Sequence, residues 1–141
     1  MLVIIRITGQ VDLSAKVKGT LDRLRVQKKY ACTLWNDSKE IRGMLHKVEQ
    51  YVGYGVIDKD LLRELVTKRG RVAGNKPLDP KIITDAFLAN LEKGEYGVMK
   101  KFFTLHPPIG GFHKKTSFMF PRGVLGDHKD KIGLLLRRMI I

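Results

Sequence analysis

Apolar and polar positions in the first third of the chain predict a regular succession of strands and helices. Residues 2–8 are almost continuously apolar, as in a buried strand, and residues 30–35 and 51–57 alternate between the two faces of a strand. Helical spacing occupies 14–27 and the interval before the third strand. This order predicts an α+β fold: a compact β-α-β-α-β core over residues 1–57, in part ferredoxin-like, with two helices on one face of a three-stranded sheet. The pattern does not define the strand order.

The second of these helices has the strongest periodic signal in the chain. Asp37 or Ser38 is placed to cap its first turn, and Glu40 follows at the position that completes a capping box. Its apolar stripe consists of Ile41, Met44, Leu45, Val48 and Val52. The stripe predicts one face packed against a core.

Three polar side chains and a glycine lie off this stripe, namely Arg42, Gly43, His46 and Lys47. A glycine inside a helix costs about 1 kcal/mol relative to alanine, so its presence needs a reason. One explanation is close packing against a neighbouring helix. The other is close approach of an RNA backbone, whose phosphates Arg42 and His46 would bind.

In the rest of the chain, residues 58–141, the pattern predicts a helical and basic extension that packs on the core. Cap residues, prolines and glycines predict helices from Asp58 or Asp60 to Gly70, from Asp79 and Pro80 to Gly94, and from Asp127 onward. Two glycines in the third strand, Gly53 and Gly55, either weaken it or mark a close approach.

Between the last two helices, residues 97–126 lack a sustained periodic pattern. Clusters of proline and glycine predict an extended arm with a short strand near 102–105, and residues 106–122 are expected to be mobile until RNA orders them. Residues 123–126 have the G-x-x-G spacing of KH domains, but that clamp needs a helix on both sides. We therefore interpret them as a turn leading into the last helix.

Composition points to a polyanionic partner. The 141 residues carry 27 Lys and Arg against 14 Asp and Glu, a formal net charge of +13. Nucleic acid is favoured over an acidic membrane surface. The single cysteine, Cys32, excludes an internal disulfide, and the leading apolar run is too short for a membrane span or a signal peptide. A soluble, intracellular protein in a reducing compartment is expected.

The net positive charge is concentrated in two runs without acidic residues. Residues 65–78 contain Lys68, Arg69, Arg71 and Lys76; residues 96–126 contain Lys100, Lys101, Lys114, Lys115 and Arg122. Runs of this kind favour phosphate contact over a merely solvated loop, although Arg69 or Arg71 would also suit a guanine edge. Three aromatic residues among the second set, Phe112, Phe118 and Phe120, suit either base stacking or attachment of the arm to the core.

No pattern of catalytic residues is present. The four histidines lack the spacing of zinc ligands, and no phosphate-binding loop or nucleophile elbow occurs. The sequence predicts no enzyme, no cofactor, no metal and no small-molecule substrate.

Several motifs in their order resemble a known family. The segments LVIIRITG and DSKEIRGML resemble the first strand and second helix of the universal large-subunit ribosomal protein family L-thirty. Three later segments resemble the extension of its archaeal form and of the eukaryotic counterpart L-seven. They read RELVTKRGRVAGNKPLDPKIITDAFL, FTLHPPIGGFHKKTSF and GVLGDHKDKIGLLLRRMI. The resemblance covers essentially the whole chain.

This resemblance implies a structural constituent of the large (50S) subunit in cytoplasmic ribosomes. Its partners would be large-subunit rRNA, close to 5S rRNA, and neighbouring ribosomal proteins, with a role in assembly and translation. It makes Arg42, Gly43, His46 and Lys47 an RNA-facing helix surface, and the cations of residues 68–76 an RNA-contacting loop. Lys114 and Lys115 would form a third contact. The alternative is a free-standing nucleic-acid-binding or RNA-processing factor.

Overall fold

The structure is a computed structural model that describes residues 1–9, 13–97, 99–112, 115–120 and 122–140, with backbone only at 115–117. The strands are β1 Leu2–Arg6, β2 Ala31–Trp35, β3 Val52–Val56, β4 Arg71–Val72, β5 Lys76–Pro77, β6 Phe103–Thr104, β7 Lys115–Met119 and β8 Gly123–Asp127. The α-helices are α1 Ala15–Arg23, α2 Lys39–Val48, α3 Lys59–Arg69, α4 Asp85–Glu92 and α5 Ile132–Ile140. Two 3₁₀ turns, Pro80–Ile82 and Lys129–Lys131, precede α4 and α5.

Six strands form one sheet in the order β6-β2-β1-β3-β8-β7. The apolar strand β1 lies between β2 and β3 and is antiparallel to both, with Leu2 opposite Trp35 on one side and Val56 on the other. The predicted core is confirmed as α+β, and the strand order is now defined. Strands β6, β7 and β8 extend the same sheet with residues of the extension.

The sheet separates two apolar cores because alternate residues of β1 point to opposite faces. On one face, Leu2 and Ile4 pack with the buried residues of α1 and α2. On the other, Val3 and Ile5 pack with the buried residues of α3, α4 and α5. The prediction of two helices on one face is correct for α1 and α2. The extension covers the opposite face, where each fully buried Leu, Ile or Val contributes about 1.5–3 kcal/mol.

Local capping fixes three helix starts, at Ser14 as predicted and at Ser38 and Asp58, each one of two candidates. Because Ser38 is the cap, Glu40 lies only two residues after it, one short of the position that the predicted capping box needs. The side chains of Ser14, Ser38 and Asp58 each accept a hydrogen bond from the backbone N–H three residues later. A cap of this kind is worth about 0.5–2 kcal/mol. No described helix combines the length and apolar character needed to cross a membrane.

The prediction of one unbroken helix from Asp79 to Gly94 is wrong in its first half. Pro80–Ile82 forms only a 3₁₀ turn, and α4 starts afresh at Asp85. The cause is Thr84, whose hydroxyl accepts a hydrogen bond from the N–H of Phe87 and so caps a new helix. Threonine favours such a cap over a place inside a helix.

The interpretation of residues 123–126 as a turn is also wrong, because they belong to the buried strand β8. This strand is parallel to β3, with Gly53 opposite Gly126. A buried parallel strand lacks the apolar–polar alternation that identifies a strand in sequence, and its glycines resemble a turn. Its C-terminal end leads into the turn Lys129–Lys131 and then α5, which begins later than the predicted Asp127.

The glycines of β3 mark close approaches within the protein. A Cβ added at Gly55 would lie 2.4 Å from the carbonyl oxygen of Lys129 and 2.8 Å from Ile132 Cβ. At Gly53 it would lie 2.7 Å from the carbonyl oxygen of Val124. Of the two explanations offered for these residues, close approach is the correct one.

The arm leaves the sheet after β6 and runs along the end of α5. The His106 N–H donates to the Met139 carbonyl at 3.0 Å, and the Arg138 guanidinium donates to the Gly111 carbonyl at 2.6 Å. The short strand predicted near 102–105 is confirmed as β6. Mobility of the arm in the absence of RNA stays a prediction, although these bonds give it an anchor.

Candidate nucleic-acid interface

On the predicted RNA-facing surface of α2, Arg42 is already paired with a carboxylate. Both carboxylate oxygens of Asp37 accept hydrogen bonds from Arg42, at 2.7 and 2.8 Å, and the guanidinium lies 5.9 Å from the Tyr54 ring centroid. The hydrogen bond from Arg42 holds the pKa of Asp37 below its usual range. To bind RNA, Arg42 would have to exchange the Asp37 carboxylate for a phosphate or share its N–H donors between the two.

The other members of the surface face solvent. A Cβ added at Gly43 would have no neighbour within 4 Å, so close packing against another helix does not explain this glycine. The His46 side chain is 77% exposed, with Nδ1 3.4 Å from Glu49 Oε2, and Lys47 is exposed. The geometry leaves room for a close partner at Gly43, flanked by donors.

The second predicted contact forms a basic hairpin, residues 68–77. Here α3 ends and the antiparallel pair β4–β5 follows, and the turn between them has positive φ at Gly74 (81°) and Asn75 (62°). Glycine and asparagine tolerate this conformation best, so Gly74 and Asn75 suit the turn. The hairpin projects cations beside the C-terminal end of α3.

The cations of the basic hairpin differ in how firmly the protein holds them. Arg69 donates through Nε to the Ile140 carbonyl at 2.6 Å and so satisfies the C-terminal end of α5. Burial, and then the charge of Arg71, lower the pKa of Arg69. Lys68 lies 3.4 Å from Glu64, Arg71 donates to the Gly70 carbonyl, and Lys76 is exposed. Arg71 and Lys76 are the cations best placed to bind an outside anion.

The third predicted contact falls mostly outside the described residues. Lys114 lies outside the described residues. For Lys115 the structure describes only the backbone, which begins β7. Among the nearby aromatics, Phe112 stacks on Tyr30 and Phe120 packs against His128. These two attach the arm to the core. Phe118 is exposed, with the Arg122 guanidinium 5.5 Å from its ring centroid.

Sequence reasoning missed a basic surface around β6. Phe102 is 42% exposed just before this edge strand, and Lys100 Nζ lies 5.8 Å from its ring centroid. Lys28 and Lys29, which precede β2, line the same region. The pairs Lys28–Lys29 and Lys100–Lys101 were the available signals, but only the topology brings them together. Among the described residues, no group of three His, Cys, Asp or Glu could hold a metal ion.

Comparison with known proteins agrees with this architecture. A family model described as Ribosomal protein L30p/L7e matches residues 2–52. Relatives named large ribosomal subunit protein uL30 align over almost the full chain. The protein of Archaeoglobus fulgidus is 35% identical with 99% of each chain covered, that of Aeropyrum pernix 36% with 97% of each, and that of Hyperthermus butylicus 38% with 97% of this chain and 88% of the relative. The resemblance seen in the motifs is confirmed, and the chain belongs to the ribosomal protein L30p/L7e family.

Proposed function

We propose that this protein is a structural constituent of the large ribosomal subunit that binds rRNA and supports assembly and translation. The observation that carries the proposal is its alignment, over nearly the whole length of both chains, with relatives named for that subunit. Alignment of both the core and the extension argues that the chain serves the same structural purpose as a whole.

The distribution of charge supports RNA as the main partner. A net charge of +13 on 141 residues is a strong attraction for phosphate. Two surfaces present groups that an RNA phosphate could reach. They are the solvent-facing side of α2 at Gly43, His46 and Lys47, and the basic hairpin with Arg71 and Lys76. Arg42 joins the first surface once a phosphate replaces Asp37.

The partners that we propose are large-subunit rRNA, in the neighbourhood of 5S rRNA, and adjacent ribosomal proteins, in cytoplasmic ribosomes. No catalytic step is part of the proposal. Two separate basic surfaces on one chain would let the protein hold two rRNA segments close to each other, which is the mechanical task of an assembly component.

The alternative is a free-standing nucleic-acid-binding or RNA-processing factor, since the charge alone fits any polyanion. Co-sedimentation separates the two functions. A tagged copy of the chain is expressed in an archaeal host, and large subunits are isolated and washed in rising salt. We expect the protein to remain with the large subunit after a wash that removes peripheral factors, at about one copy per subunit. Release at low salt, or recovery mainly in ribosome-free fractions, would contradict the proposed function.

A further inference from the structure

Two clefts meet at the outer edge of the sheet and share Phe102 and Thr104. The first has a volume of about 360 Å³ and is also lined by Arg25, Lys28 and Lys29. The second, of about 230 Å³, is also lined by Arg69, Arg71 and Lys100. Phe102 therefore stands on a ridge with three cations in each flanking cleft. We call this region the β6-edge surface.

We propose that the β6-edge surface binds a single-stranded RNA segment, with one base stacked on Phe102 and the flanking phosphates held by Lys28 and Lys29 on one side and by Arg71 and Lys100 on the other. This inference rests on the proposed function. It adds a site and the kind of RNA that the site takes.

The exposure of Phe102 is the first argument. Its aromatic neighbour Phe103 is buried in the core, so residue 102 does not serve packing in the same way. Lys100 lines the second cleft and not the first, which leaves ring surface open in the first cleft. That cleft falls within the range of about 300–1,000 Å³ typical of ligand pockets. An open aromatic face beside such a space suits a base.

The charge around the ring is the second argument. Among the described residues, neither cleft lining includes an Asp or Glu, and Arg25, Lys28, Lys29 and Lys100 form no ion pair. Instead, Arg25 lies 5.0 Å from the Trp35 ring centroid, and Lys29 lies 5.2 Å from that of Tyr30. Aromatic faces hold these cations in place without neutralising them. Their charge remains available to phosphates.

An unpaired strand fits this surface better than a duplex does. In an A-form helix the base faces are stacked on each other, so an aromatic ring reaches them only in loops, bulges and ends. Cations that follow the backbone, together with an aromatic platform, are the usual means of single-strand binding. A peptide that adds a strand to the sheet edge is the competing occupant. Strand β6 is only two residues long, Phe103–Thr104, and offers such a peptide few hydrogen bonds.

The test uses the full chain and two RNA probes, with affinities compared at one moderate salt concentration and salt slopes taken from a series of concentrations. One is a single-stranded oligoadenylate of about twelve nucleotides with a 2-aminopurine at its centre, and the other is a duplex of equal length. Phe102→Ala should weaken single-strand binding about 5- to 150-fold, as expected for the loss of one stacked base. Phe102→Leu keeps apolar bulk without an aromatic face and should lose nearly as much. Binding to the unchanged protein should alter 2-aminopurine fluorescence, because the base moves from its adenine neighbours onto Phe102. Both variants should abolish that change and leave duplex binding within about two-fold.

A matched pair of variants tests the phosphate contacts. Lys28→Ala combined with Lys29→Ala should weaken single-strand binding and reduce its salt dependence by about 1.4 in the log–log slope, because single strands release about 0.7 counterion for each phosphate contact. The control removes equal charge from α1, by Lys16→Ala combined with Lys18→Ala, and should change the slope less than half as much. Leu134→Ala, at an exposed apolar position on α5, is the control for Phe102.

Three results would overturn the inference. They are equal losses for both probes in Phe102→Ala, an unchanged fluorescence response of 2-aminopurine in that variant, and equal slope changes for the α1 control and the Lys28–Lys29 variant. Any of these leaves the proposed function standing, because that is judged by retention of the protein on washed large subunits. Conversely, failure of retention together with a positive oligoadenylate result would refute the proposed function alone.

Discussion

Arg42 on α2 lies 3.3 Å from the carboxylate of Asp127 at the end of β8, although 85 positions separate the two residues in the chain. Its remaining donors pair with Asp37, at the start of its own helix. The side chain thus ties the first helical layer to the strand that the extension inserts into the sheet. The same residue is predicted to contact RNA, in which case internal and external partners would compete for its donors.

This competition predicts that Asp37→Asn strengthens RNA binding. The change removes one partner of Arg42 and frees donors for phosphate, so affinity for an rRNA fragment should rise about 1.5- to 5-fold, the range expected for releasing an exposed ion pair. Filter binding or fluorescence anisotropy at fixed salt measures it. Glu92→Gln removes equal charge from α4 and should change affinity less than 1.5-fold. Equal gains in the two variants would mean that only net charge matters and that Arg42 does not contact the RNA.

The same pair predicts a pH dependence of stability. Arg42 lowers the pKa of Asp37 from its ordinary 3.8. A carboxyl whose pKa is lower when folded stabilises the protein fully above the unfolded value, and the contribution disappears as pH falls through the folded value. Arg42→Ala should therefore reduce the free energy of unfolding at neutral pH, by an amount that shrinks below pH 3.8. Urea unfolding across this range tests it. A difference that stays constant or grows as pH falls would show that the ion pair is not the source.

Gly43 predicts opposite effects of one substitution on stability and on binding. Neither Gly43 nor Gly19 on α1 has a neighbour within 4 Å of an added Cβ, so alanine at either site should raise stability by about 0.5–1 kcal/mol through helix propensity alone. If RNA approaches closely at residue 43, Gly43→Ala should also weaken binding about 5- to 150-fold, the equivalent of about 1–3 kcal/mol of overpacking. Gly19→Ala is the matched control and should bind normally.

Either of two results would contradict this use of Gly43. One is unchanged RNA affinity in Gly43→Ala, which would leave the glycine without a binding role. The other is a loss of about 2 kcal/mol of stability in the free protein, which would mean an internal contact at this position. Thermal unfolding of both glycine variants, followed by circular dichroism, distinguishes these cases.

Alanine at Gly55 should have the opposite effect on stability from alanine at Gly43. Its added Cβ would meet the backbone oxygen of Lys129 at 2.4 Å, and backbone cannot move aside as a flexible side chain can. Gly55→Ala should therefore destabilise the protein by about 3 kcal/mol. Alkylation of Cys32 reports this, since the thiol is buried and burial raises its pKa, so it reacts only in molecules that open. Alkylation no faster than in Gly43→Ala would contradict the prediction.

Whether a feature can be predicted from the sequence depends on how far apart along the chain the interacting residues lie. Helix starts at Ser14, Ser38 and Asp58 are predictable because a cap and its partner lie three residues apart. The strand β8 is not, because its identity depends on pairing with β3 some 70 residues earlier, as in Gly53 opposite Gly126. Its glycines suit that neighbour, and in sequence they look like a turn.

The candidate interface divides in the same way. The cations of the basic hairpin are adjacent in sequence and were found as a run. Arg69 donates its hydrogen bond to Ile140, which lies 71 positions later in the chain. No local sequence pattern therefore shows that the guanidinium of Arg69 already has a partner. Arg6 makes the same point more strongly: buried in β1, it donates to the carbonyls of Thr8, Gly9 and Val26 and holds together loops that the sequence presents as separate.

The basic hairpin yields the last prediction, that it binds phosphates more than base edges. Arg69 is excluded from the test because its loss would also expose the end of α5. The variant replaces Lys68, Arg71 and Lys76 by alanine. Each phosphate contact releases about 0.7–0.9 of a counterion, so losing three contacts should flatten the plot of log affinity against log salt by about two to three units. Binding is measured over a series of salt concentrations, with an rRNA fragment and an unrelated duplex of equal length.

The comparison between the two RNAs decides the kind of contact. Phosphate binding predicts similar losses for both, because backbone charge is independent of sequence, whereas a guanine edge read by Arg71 would cost the rRNA fragment about 1–3 kcal/mol more. The control variant removes three cations from α1, Lys16, Lys18 and Arg23, and should flatten the slope by less than one unit because that helix lies on the opposite face of the sheet from α3. A hairpin variant that loses affinity for the rRNA fragment alone, with its salt slope unchanged, would show that these residues read bases or shape and would refute the phosphate assignment.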